Sequence, residues 1–358
     1  MIKSKCWLLF AALIAILGTL PGIAASTKPG TIVTEHLVSA KLRDTKTGLD
    51  PNRSIKVYLP PGYAESGKSY PVIYYFHSFF WSPEKMFADG NLQRLLERGF
   101  ANRIVPEFIL VAADYSTPTT GSFFENSSTT GHWLDFTTEE LVPFIDRRFR
   151  TLPQRESRGL AGDMIGGYGA LKFALLYPDL FSVVYALHPV ATGTGLVPMA
   201  TRPDWRKIHR AKSFQDIEAW DGFTRIFLSM SQAFLPNPTR PPFYCDFMME
   251  SKDGEPVLQP DNVKKLQAGF LLDQMLAEKG ANLRRMRGIK FDWGRYDGNQ
   301  DHVCANQAFT RKLDELGIEH EAEEYRGNTG DKNWTEYGRF YSDLLPFFAR
   351  HLVFQEKN

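Results

Sequence analysis

This chain of 358 residues is poor in cysteine and carries no excess of either charge. Its three cysteines are Cys6, Cys245 and Cys304. Cys6 belongs to an N-terminal segment of its own, so the rest of the chain supports at most one disulfide, and two free thiols fit equally well. Lysine and arginine number 42 against 41 for aspartate and glutamate. That balance gives no electrostatic case for nucleic acid or an anionic membrane as partner. Beyond residue 20 no apolar run approaches the length of a membrane span, about 20 residues. Internal repeats and low-complexity tracts are also missing.

The first residues stand apart. Lys3 and Lys5 precede an apolar run over 7–20, and small residues follow at Gly22, Ala24, Ala25 and Ser26. That order predicts a secretory signal peptide over 1–25, and hence a secreted or periplasmic protein without a transmembrane anchor once it is removed. Cys6 lies ahead of the apolar core, where it is badly placed for lipid attachment.

From residue 26 onward short apolar runs alternate with longer helical patterns, the signature of a mostly parallel sheet flanked by helices. Strands are expected over 32–42 and 54–59. The runs at 71–76 and 108–113 are continuously apolar, as in central strands buried on both faces. Helices are expected over 83–98, ending at Gly99, and over 134–148. Strands at 157–161 and 181–187 follow. Between about 190 and 285 the alternation yields to a stretch rich in proline, methionine and aromatics, expected as a helical insertion after the sixth strand. Alternation resumes with strand 289–293, helix 302–316, strand 321–325 and a closing helix 334–352.

One absence matters most. Gly162, Gly166 and Gly167 sit between a strand and a helix, in the frame of the nucleophile elbow G-x-S-x-G. There, small flanking residues let a strained turn present a hydroxyl above the sheet. Met164 occupies the serine position. A thioether has no acidic proton, so no base can turn it into an oxyanion nucleophile. Asp163 would serve as nucleophile only at the apex of the turn, and Ile165 would then crowd a position that needs a small residue.

Further motifs are Ser54 to Tyr63 (SIKVYLPPGY), Tyr70-Pro71-Val72-Ile73-Tyr74, Glu140 to Asp146 (ELVPFID), Gly166 to Leu171 (GGYGAL), Tyr177 to Phe181 (YPDLF) and Leu345-Pro346-Phe347-Phe348. Together they resemble the esterase family of the α/β-hydrolase superfamily, which includes S-formylglutathione hydrolases, feruloyl and acetylxylan esterases, enterochelin esterases and mycolyltransferases. The likeness covers nearly all of the chain outside the insertion. It implies an α/β-hydrolase fold, a Ser-His-Asp triad and an oxyanion hole. On that pattern Asp297 is the remnant acid and Met164 the nucleophile position. The histidine position falls at Thr329 counted from the last strand, or at Lys332 counted back from the closing helix. Neither is a histidine, and the nearest one, His320, precedes the strand. The family's His-Gly of the oxyanion loop is His77-Ser78 here, followed by Phe79, Phe80 and Trp81. Ser78 keeps a backbone N–H that can serve as an oxyanion donor.

The expectation is therefore an exported esterase-family homologue that binds without hydrolysing. Its cleft would be lined by His77, Ser78, Phe79, Asp163 and His188 and take a small-molecule, acyl or glycan-type ligand. The rival expectation is an active acyl hydrolase using Asp163, or a metal, with His188 and His77. His77, Asp114, Asp163 and His188 all follow strands, but none has metal-ligand spacing. The stretch 297–301 lacks the glycine and the distal glutamate of a calcium loop. No metal or other cofactor is expected.

Overall fold

The computed structural model describes residues 28–329 and 333–355. The expected signal peptide, Cys6 and Lys332 lie outside the described residues. One sheet holds β1 (Thr31–Val38), β2 (Asn52–Leu59), β3 (Val72–Phe76), β4 (Ile109–Ala113), β5 (Arg158–Asp163), β6 (Val183–Leu187), β7 (Gly288–Gly294) and β8 (Glu321–Tyr325). The spatial order is β1-β2-β4-β3-β5-β6-β7-β8. β2 runs antiparallel to β1 and β4, and the other neighbours are parallel. β3, β4 and β6 are buried along their whole length, which is why they read as unbroken apolar runs.

The main helices are α1 (Asn91–Ala101), α2 (Val142–Arg148), α3 (Ile165–Leu176), α4 (Gly222–Phe234), α5 (Pro260–Phe270), α6 (Leu272–Leu283), α7 (Gln300–Glu315) and α8 (Leu345–His351). Leu92 and Leu95 of α1 and Phe347 and Phe348 of α8 pack with Ile73, Tyr75 and Leu110 on one face of the sheet. Ile145 of α2 and Leu171 and Phe173 of α3 join Val72, Tyr74 and Phe76 on the other. α4, α5 and α6, with a hairpin of Met249–Lys252 and Glu255–Leu258, lie between β6 and β7 in the chain. Their Phe227, Leu266 and Phe270 belong to the same cluster as Tyr168 of α3, so this segment roofs the core.

Several expected elements differ. The helix over 83–98 breaks into Pro83–Phe87 and α1. Gly90 adopts φ 66° between them, a left-handed conformation that ends the hydrogen-bond ladder. α1 then runs through Gly99, where a Cβ would lie 2.6 Å from Leu345 Cδ1. The helix over 134–148 contains a π turn, Phe136–Leu141, and the closing helix starts only at a second one, Phe340–Leu344. Val142 and Leu345, each preceding a proline, donate five residues back, to Thr137 and Phe340. Before the second turn, Trp334 packs its ring on Tyr75 and Phe340, with centroids at 5.2 and 4.9 Å. β1 stops at Val38, where Ser39 turns to hydrogen-bond Glu140 and Pro51. Cys245 is buried and Cys304 exposed, and both are free, so the bridge that the sequence allowed is not formed.

Candidate functional site

The parallel register sets β3, β5, β6, β7 and β8 side by side, and the loops after them share one edge of the sheet. Phe76 pairs with Gly162, Gly162 with Ala186, Leu187 with Asp292, and Gly294 with Tyr325. Met164, one residue past β5, has φ 54° and ψ −115°. Its N–H donates to Leu187 O at 3.0 Å, and its carbonyl accepts from Tyr168 N at 3.0 Å. A Cβ on Gly166 would overlap the Phe76 carbonyl, and one on Gly162 would overlap the backbone of Gly166. Only glycine fits at either place. Met164, His188, Phe80, Phe123 and Phe124 all hold positive φ without being glycine. Left-handed non-glycine residues store strain that the surrounding packing must offset, and they cluster at functional sites.

Asp297 lies in the loop after β7. Its Oδ2 accepts from His188 Nε2 at 2.5 Å and His302 Nδ1 at 3.0 Å, while Oδ1 accepts from Asn299 N at 2.9 Å. Burial alone would raise this carboxyl group. The hydrogen bonds from His188, His302, Asn299 and Thr329 outweigh it and hold Asp297 far below the usual carboxylate range. Thr329, in the loop after β8, sets its Oγ1 2.7 Å from His188 Nε2. Two histidines thus meet Asp297, and sequence reasoning identified neither as its partner. His188 is fully buried, delivered by β6. His302 enters through the first turn of α7, five residues after Asp297. An acid followed by a helix start with a histidine in its first turn was the only signal available for that pairing.

A cavity of about 120 Å³ opens beside this cluster. Its walls are mostly apolar, with Met164, Phe79, Phe123, Phe227 and Phe270 among them, and His302, Asn299 and Asp301 contribute a polar side. Phe79 packs tilted against Phe123 with ring centroids 5.2 Å apart, and Phe123 meets Phe270 edge-on at 5.4 Å. Phe80 and Trp81 remain exposed, with the Arg225 guanidinium 5.3 Å from the Phe80 ring.

Of the other expected cleft residues, His77, Ser78, Asp163 and His188 do not line this cavity. His77 and Ser78 border a separate void of about 10 Å³. Tyr115 N donates to His77 Nε2 at 2.9 Å, so Nδ1 carries the proton and donates to Ser78 O. Asp163 accepts from Tyr75 Oη at 3.0 Å. Its burial, partly offset by that bond and by His77, pushes its carboxyl group up to about 6. Asp114, which also follows a strand, is held by Arg53 at 2.6 Å.

His188, Asp297 and His302 bring donor atoms within 4.8 Å of one another, a spacing that a metal ion can use. The tautomers argue against that use. Gly294 N donates to His188 Nδ1 at 3.0 Å, so the ring proton sits on Nε2, the atom that faces Asp297. A protonated nitrogen has no lone pair for a metal, and two ligands are too few for a structural site.

The sheet order, the elbow after β5 and the acid after β7 define an α/β-hydrolase. The family model described as "Putative esterase" matches residues 47–349, and the chain belongs to that esterase family. An esterase of Mycobacterium tuberculosis (strain H37Rv) is 35% identical over 133 residues, which is 37% of this chain and 28% of the relative. The chain thus matches under a third of that relative's length. Among solved structures, a ferulic acid esterase superposes with a TM-score of 0.61 at 18% identity, covering 90% of this chain and 98% of its own. A ferulic acid esterase from Anaeromyces mucronatus in complex with ferulic acid gives 0.52 at 17%, covering 90% and 92%. At such identities these two establish the shared fold. No helix among the described residues is long and apolar enough to cross a membrane.

Proposed function

We propose that this esterase-family chain is an exported protein that binds a small, largely apolar ligand in its cleft and does not perform serine acyl-enzyme chemistry. One observation carries the reading: a methionine thioether occupies the apex of an otherwise complete elbow and forms part of the cavity wall. A second supports it. Thr329, one of the two positions (with Lys332) at which the family pattern expects the imidazole, stands beside Asp297 and His188. A thioether and a hydroxyl cannot replace nucleophile and base, because neither activates the other. The basic, apolar and small-residue order of 1–25 supports export.

The rival mechanism, with Asp163 or a metal acting beside His188 and His77, finds few free groups. Asp163 lies off the cavity lining, and both ring nitrogens of His77 and of His188 are engaged. The decisive experiment incubates the full-length protein with p-nitrophenyl acetate and with a fluorophosphonate probe. Hydrolysis at the buffer rate and no covalent label are expected. Ester turnover abolished by Asp163→Asn or by a chelator would overturn the reading.

A further inference from the structure

We propose that His302, held by Asp297, is the acceptor through which the cleft recognises its ligand, and that this ligand is a small apolar molecule bearing one neutral hydroxyl or amide N–H donor. The inference rests on the reading of the cleft as a binding site and specifies what it selects. An ionised carboxylate can only accept, so the 3.0 Å contact with Asp297 Oδ2 places a proton on His302 Nδ1. In the neutral ring Nε2 then carries a lone pair. On that wall Asn299 Oδ1 and Asp301 Oδ1 already accept from Arg202, the latter at 3.0 Å. His302 Nε2 has Asp301 Oδ2 at 3.7 Å, but two acceptors do not satisfy each other. A donor must come from elsewhere.

The surroundings narrow what brings it. His302 and Asp297 are 7% and 6% exposed, so bulk water competes weakly with a ligand that reaches Nε2 from the cavity. The carboxylates of Asp297 and Asp301, both beside the ring, oppose an anionic ligand. Apart from Thr194 and two glycines the remaining walls are aromatic and aliphatic, and a cavity of about 120 Å³ suits one ring-sized group, since a cavity of about 150 Å³ takes benzene.

The test measures phenol and toluene, matched in size, against the full-length protein and against His302→Leu by calorimetric titration at pH 8. The ratio of phenol to toluene affinity should fall roughly threefold to tenfold in His302→Leu, the span of one neutral hydrogen bond. Toluene affinity reports the altered apolar wall, so the ratio alone reads the hydrogen bond. In the unaltered protein, ¹⁵N spectra of the histidine rings should show His302 Nε2 unprotonated and shifted by phenol but not by toluene. Those spectra carry the test alone should His302→Leu fail to fold. An unchanged affinity ratio, a protonated Nε2 in the free protein, or tighter binding of benzoate than of phenol overturns the assignment while leaving the binding cleft in place. Failure of both phenol and toluene to bind the unaltered protein removes the cleft reading as well.

Discussion

Asp163→Asn is expected to stabilise this protein, and only above mildly acidic pH. Burial raises the Asp163 carboxyl group from its ordinary value of 3.8 to about 6, against the opposing pull of the Tyr75 hydrogen bond and of His77. Between those two values the native state keeps a proton that the unfolded chain has released. The cost of ionising the group is therefore absent below pH about 4, grows as pH rises through that window, and is complete above about 6. At 1.36 kcal/mol per pH unit the full cost is at most about 3 kcal/mol. The accessible edge of the residue makes this an upper bound. Asparagine removes the charge while its Oδ1 still accepts from Tyr75. Urea unfolding followed by tryptophan fluorescence, at pH 4, 6 and 8, gives the difference in midpoint and slope. The variant should match the parent at pH 4 and exceed it by about 2 kcal/mol at pH 8. A difference that does not change with pH, or a less stable variant at pH 8, would refute the argument that Asp163 is a buried carboxylate held against its preference.

Met164→Ser with Thr329→His should raise p-nitrophenyl acetate hydrolysis about 10²-fold or more over either single variant, the range of a restored general base. Activity in Met164→Ser alone would instead identify His302 as an imidazole able to serve it, and adding His188→Ser should help the double variant by removing one of the two histidine donors on Asp297 Oδ2. Asp297→Asn should destabilise by about 2–3 kcal/mol, because charge-assisted hydrogen bonds from His188 and His302 are lost; thermal melts at pH 7 read this. Gly166→Ala should abolish soluble folded protein, since its methyl group meets the backbone of Phe76 rather than a movable side chain; circular dichroism and expression yield check it. A brief maleimide pulse followed by peptide mapping should label Cys304 in the native protein and Cys245 only after unfolding.

The strands were legible wherever burial on both faces made them unbroken apolar runs. β3, β4 and β6 needed no tertiary knowledge, because a buried parallel strand tolerates little else. Helix limits were less legible. The break at Gly90 depends on one backbone angle, and the π turns before Val142 and Leu345 depend on how each helix accommodates a following proline. At the site, Met164 and Asp297 could be found by position because each follows its strand at a short, fixed interval. His302 could not. It reaches Asp297 through the entry of a helix, while the loop after β8, where a histidine was sought, supplies Thr329.

Sequence alone determined that short apolar runs alternate with helical patterns, that a thioether stands at the elbow, and that basic and acidic side chains nearly balance. These are matters of residue identity and local period, which no packing can change. Tertiary structure decided the rest. Parallel register brought His188 from β6 and His302 from α7 onto one carboxylate 109 and 5 residues away in the chain. It also turned His77 and Asp163 toward backbone and Tyr75 instead of the cavity. Which nitrogen carries a proton, and therefore what the cleft can accept, follows from hydrogen bonds that only folding forms, from His302 to Asp297 five residues away and from Gly294 to His188 106 residues away.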